Sequence, residues 1–118
     1  MTTPLDADDL AAEWLSNSQR KVGERRSGLD DMAVREPELA WATILKIIDH
    51  KLTDEQTAFL AAGPMEVLLS EHGPDFIDRV EKEAKANPRF DHLLGGVWKL
   101  GMKDNVWSRV QKVRSAVW

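Results

Sequence analysis

Helix-breaking pairs punctuate this chain so densely that short helices set at angles to one another are expected. Gly63-Pro64, Gly73-Pro74 and Asn87-Pro88 follow in quick succession. Each pair is predicted to stop one helix and start the next, because glycine tolerates the left-handed conformation that closes a helix and proline is pre-set for a first turn. Between the pairs, apolar residues recur at helical spacing: Met65, Leu68 and Leu69, then Phe76, Ile77, Val80 and Ala84, then Phe90, Leu93, Leu94, Val97 and Trp98. The last stripe runs through Gly95-Gly96 without resetting. Two glycines inside a helix cost about 1 kcal/mol each relative to alanine, which implies close approach of a neighbouring helix backbone.

Upstream, Thr3-Pro4 is predicted to open the first helix, with Asp6, Asp8 and Asp9 favourable near its positive end and Leu10, Ala11, Trp14 and Leu15 on one face. Residues 20–36 lack apolar periodicity and read as a polar connection, long enough to hide a short helix around Asp30 to Arg35. Pro37 starts the helix with the densest apolar load, Trp41, Ile44, Leu45, Ile48 and Leu52, which makes it the central one. Thr53 and Gln56 form a capping box for the next. Downstream, Gly101 is expected to end the sixth helix and Asp104 to cap the seventh. There Val106, Val110, Val113 and Val117 make an inward stripe, with Lys112 and Arg114 outward and Arg109 near the boundary. The expected fold is all-α, a single compact domain over residues 1–118. It should have six to seven short helices arranged like an orthogonal bundle or a stub of a solenoid, without true repeats.

Composition narrows the chemistry. The 118 residues contain no cysteine, which removes disulfides, thiolate metal sites and cysteine nucleophiles and fits a reducing compartment such as the cytoplasm. Met1 to Asp9 has neither a basic nor an apolar leader region, and no apolar run approaches the ~18 residues of a membrane span, so neither secretion nor membrane insertion is expected. The net charge of −4 argues against a nucleic-acid partner, yet Lys99, Lys103, Arg109, Lys112 and Arg114 face only Asp104 in the last twenty residues. That basic end suits an acidic partner.

No reactive constellation stands out. His50, His72 and His92 lack metal-ligand spacing, Glu-x-x-His is absent, and no nucleophile elbow, Walker loop or dinucleotide fingerprint occurs, so no metal or other cofactor is expected. A helix-turn-helix reading of the Gly63-Pro64 corner fails because its recognition segment would be acidic and apolar. The one candidate pocket combines Glu66, His72 and Asp75. Against it stand simpler roles, Glu66 as a first-turn carboxylate stabilised by free amides and His72 as a donor to last-turn carbonyls. Asp75, Asp78, Glu81 and Glu83 alternate with Arg79, Lys82 and Lys85 at spacings that imply a solvated, salt-bridged face.

Trp14, Trp41, Trp98 and Trp107 lie on apolar stripes and are expected in the core. Trp118 stands beside Arg109, Lys112 and Arg114, a candidate interaction face, with folding back onto the core as the alternative. These features favour a non-enzymatic protein-protein interaction module of bacterial or phage origin, of inhibitor or immunity type. The alternatives are a small enzyme or metal- or small-molecule-binding domain at Glu66 and His72, and a helical accessory domain that dimerises through its valine stripe.

Pro37-Glu38-Leu39-Ala40-Trp41, Ala61-Ala62-Gly63-Pro64-Met65-Glu66-Val67-Leu68-Leu69, His72-Gly73, Phe76-Ile77, Asn87-Pro88-Arg89-Phe90 and Val97-Trp98 together resemble an uncharacterised family of small all-helical bacterial proteins. The likeness spans Pro37 to Trp98 and lies in punctuation and core positions. It implies a fold and carries no activity.

Overall fold

The computed structural model describes residues 6–17 and 28–118. Its described helices are α1 (Ala7–Asn17), α2 (Gly28–Arg35), α3 (Pro37–Ile48), α4 (Asp54–Leu60), α5 (Glu66–Ala86), α6 (Pro88–Leu94) and α7 (Asp104–Val113), with a π-turn at Ala61–Met65 between α4 and α5. No strand occurs among the described residues. No helix among them is long and apolar enough to cross a membrane.

Local chemistry sets most boundaries. Asp6 Oδ1 accepts from the Asp9 amide at 2.9 Å, so α1 opens at Ala7; Thr3 and Pro4 lie outside the described residues. The polar stretch 20–36 does contain a helix, α2, whose buried Leu29 and Ala33 pack onto α3 and α5. Thr53 and Gln56 form the expected reciprocal box, with bonds of 3.1 and 2.9 Å. Asn87 caps α6 by accepting from the Arg89 amide.

The two glycine-proline pairs act differently from each other. At Gly63-Pro64 the backbone stays right-handed and widens: the Glu66 amide reaches back five residues to the Ala61 carbonyl. Proline has no N–H to give, and the π-turn absorbs that loss without breaking the rod. At Gly73-Pro74 a kink with non-helical backbone at His72, φ −132° and ψ 23°, divides α5 into two helical segments as expected, but without a left-handed glycine. The glycines are there for want of a Cβ. One added at Gly73 would lie 2.9 Å from Val106 Cγ1, and one at Gly63 would lie 2.9 Å from Asp30 Oδ1.

The core is shared between α3 and α5. Trp41 on α3 meets Phe76 of α5 at 5.9 Å and Phe90 of α6 edge-on at 5.5 Å. Ile44, Ile47, Leu68, Leu69, Val80 and Leu93 complete the buried centre. α7 packs on α5 rather than around α3, placing Val106 and Val110 in the core. The valine stripe stops there: Val113 is half-buried, the helix ends, and Val117 is 62% exposed.

Two further corrections bear on function. α6 ends at Leu94, so Gly95-Gly96 forms a turn outside the helix, and Trp98 emerges 67% exposed instead of joining the core. What approaches the two glycines is the indole of Trp118, which an added Cβ at either would meet at 2.5 Å. Asp104 is the first residue of α7, and Lys103 occupies the cap position.

Candidate functional site

Between α6 and α7 the chain makes a loop whose two ends are buried and whose middle is not. Val97 and Met102 are sunk in the core at 2% and 4% exposure, while Trp98 and Leu100 are each 67% exposed. A hydrogen bond from the Met102 amide to the Lys99 carbonyl at 2.9 Å closes a turn with Leu100 and Gly101 at its centre. Leu100 has φ of +46°, and no described glycine has positive φ. Positive φ at a turn position favours glycine, which carries no Cβ penalty there. Here the glycine comes one place later, and a leucine carries the strain.

The loop is fixed from beneath by α5. Glu66 and Ser70 lie one turn apart on one face of that helix, and each accepts a backbone amide from the loop. Glu66 Oε1 receives the Trp98 N–H at 2.5 Å, and Ser70 Oγ receives the Gly101 N–H at 3.2 Å. Lys99 adds an ion pair to Asp104, which holds the Asp104 carboxyl below its ordinary value. Glu66 is a charged residue at only 5% exposure, and burial pushes its carboxyl above the usual range, partly offset by the Trp98 amide. The first-turn carboxylate thus serves another segment's amide.

The other sequence candidates are dispersed. His72 Nε2–H donates to the Val34 carbonyl at 2.8 Å, closing the end of α2 rather than its own helix. Asp75 is exposed and acts electrostatically on Arg79. Glu66, His72 and Asp75 make no hydrogen bond to one another, and among the described residues no three His, Asp or Glu side chains gather as a metal site. The ion pairs of the acidic face of α5 run to neighbouring helices. Arg79 makes a two-pronged contact with Glu38 of α3 at 2.6 and 2.8 Å, and Arg109 of α7 clasps Asp78 and Glu81.

The candidate basic face is largely engaged inside the fold. Arg114 donates to the carbonyls of Leu94 and Val97 at 3.3 and 2.9 Å and lies over the Trp107 ring. Ser115 binds Asp91 through both its amide and its hydroxyl. Trp118 stacks on His92 with ring centroids 5.3 Å apart, gives its indole N–H to the His92 carbonyl at 2.6 Å, and gives its amide to the Gly95 carbonyl. These carbonyls belong to the open end of α6, so the tail is its cap. Lys112 remains exposed, with no ion pair among the described residues.

Sequence reading missed the Trp98–Leu100 loop because the apolar stripe of α6 projects onto Trp98 when the helix is extended. The signal that could have found it was Gly95-Gly96 itself, taken as a helix end.

Fold and site define a small all-helical domain carrying an anchored, strained apolar loop on its surface. The chain belongs to a family of unknown function, DUF6869, whose model matches residues 17–117. That match takes in much more of the chain than residues 37–98. No curated protein and no solved structure matches it.

Proposed function

We propose that the protein is a non-enzymatic interaction module that docks a protein partner through Trp98 and Leu100. The observation that carries this reading is the leucine at positive φ: a fold under no demand at this position would place glycine or asparagine there. Tryptophan is enriched among residues that dominate binding energy, and anchoring the loop beforehand reduces the entropy lost on docking. Lys103 is exposed beside the loop, with no ion pair among the described residues, and Lys99 is shared with a largely exposed Asp104. A complementary surface is therefore an apolar cleft with an acidic rim. A cysteine-free chain suits an inhibitor or immunity-type partner working in a reducing bacterial cytoplasm.

The test compares the parent with a Trp98→Ala/Leu100→Ala variant of matched thermal stability, each used as bait in extract of the source cell. The expected result is a stoichiometric protein held by the parent, rebinding as a purified component and lost from the variant. Capture by both alike, or no stoichiometric protein, overturns the reading.

A further inference from the structure

A pocket of about 310 Å³ opens between the turn after α3, the start of α4 and the start of α6, sharing no residue with the Trp98–Leu100 loop. Its volume is at the lower end of the ~300–1,000 Å³ typical of small-molecule sites. Ile48, Leu52, Pro88 and Leu93 give it an apolar lining, and His50, Lys51, Arg89 and His92 surround that lining with basic groups. Arg89 is held in place by α3: its Nη1 donates to the carbonyls of Ile48 and Asp49 at 3.2 and 2.8 Å. Nε and Nη2 make no hydrogen bond among the described residues, leaving donors on a guanidinium whose position is already set. Lys51 is exposed, with no ion pair among the described residues.

We propose that this pocket binds a small organic monocarboxylate, its hydrocarbon body on Ile48, Leu52 and Leu93 and its carboxylate on Arg89 and Lys51. A planar guanidinium matches a carboxylate in two-pronged fashion, and the apolar lining rewards a hydrocarbon body that inorganic anions lack. Asp54 on the α4 wall sharpens the choice. Its negative charge would repel a doubly charged phosphate more strongly than a singly charged carboxylate. The pocket lies where α3, α4 and α6 converge, so a ligand there would stiffen their junction. This site stands independently of the docking role.

The experiment is an amide-resolved NMR titration of the full chain with benzoate, hexanoate, hexanamide and inorganic phosphate, followed also through the His92 ring and the Trp118 indole stacked on it. The expected result is saturable shifts for the two carboxylates, concentrated in residues 48–57 and 88–93 and at Trp118, with much weaker effects from the amide and phosphate. Lys51→Glu and Arg89→Gln should each weaken benzoate by at least about tenfold. Because Arg89 also ties down α3, Leu52→Trp provides a second variant that fills the pocket and should abolish binding in a folded chain. Three results would each overturn the proposal: absent or non-saturating shifts, equal response to hexanoate and hexanamide, or phosphate binding as strong as carboxylate.

Discussion

The buried carboxylate of Glu66 accepts the backbone N–H of Trp98 at 2.5 Å, tying a residue that is 67% exposed to a charged residue that is 5% exposed. Burial raises the Glu66 carboxyl above its ordinary 4.5. The folded state therefore holds this proton more tightly than the unfolded chain does. The group's contribution to stability is complete below about pH 4.5 and is lost as pH rises through the raised folded value. Glu66→Gln keeps an acceptor for Trp98 and removes the titration. Relative to the parent, the variant is expected to be indistinguishable at pH 4 and to gain stability by pH 7. Urea unfolding at several pH values checks it, and a variant that falls behind the parent as pH rises contradicts it. Glu38, Glu81 and Asp104 titrate the opposite way, held low by Arg79, Arg109 and Lys99, and their stabilisation fades as pH falls. They cancel in the difference between variant and parent.

Leu100 offers a separation of stability from binding. A non-glycine residue in the left-handed region costs roughly 1–2 kcal/mol, and asparagine bears that conformation best among the others. Leu100 recovers little by burial at 67% exposure. Leu100→Asn is expected to raise stability by about 0.5–1 kcal/mol while weakening the protein partner's binding. Paired thermal melts and binding titrations decide the matter. A less stable variant would mean that the leucine is held for packing.

Gly73 sets the distance between α5 and α7. Alanine would gain about 1 kcal/mol in helix propensity, but its Cβ would meet both methyls of Val106 at 2.9 and 3.0 Å. Val106 is 1% exposed and has no room to yield. Overpacking of this kind costs roughly 1–3 kcal/mol, so Gly73→Ala is expected to destabilise on balance by about 1 kcal/mol. In a Val106→Ala background the same change should cost less, with a coupling of at least about 0.5 kcal/mol in a denaturant double-mutant cycle. Strict additivity would show that the two do not press on each other.

The parts of this fold legible in the sequence are those written in periodicity and caps. Trp41, Ile44 and Phe76 announce their burial by spacing alone, and Thr53 with Gln56 writes its own helix start. Gly63, Gly73, Gly95 and Gly96 are legible as exceptional positions; close approach is the reason read at Gly95-Gly96, though by the Trp118 tail and not by a helix, whereas at Gly63 and Gly73 the reason is not legible. A missing Cβ and a left-handed backbone look the same in one sequence, and the structure uses the first. Trp98 was misplaced because helical spacing cannot say where a helix stops. The pocket was illegible for another reason: His50 lies far in sequence from Arg89 and His92 of α6, and only the tertiary fold brings the two segments together.

The basic end of the chain supplies a final test, because two neighbouring cations there do unlike work. Lys112 projects from α7 into solvent, with no ion pair among the described residues, so Lys112→Glu should stay within the ~0.5 kcal/mol scatter of surface changes. Arg114 is partly buried, lies 4.9 Å from the Trp107 ring centroid, and supplies donors to the Leu94 and Val97 carbonyls at the open end of α6. A carboxylate there would offer no donor and would face carbonyl oxygens. Hydrogen bonds from a charged donor contribute roughly 1.5–3 kcal/mol, so Arg114→Glu is expected to cost about that much. It should also release the tail, since Ser115 and Trp118 are held to the same end of α6. Hydrogen exchange at the Trp118 amide reads the release, and chemical denaturation reads the cost. Equal tolerance of both substitutions would mean that the tail's bonds to α6 contribute nothing to the folded state.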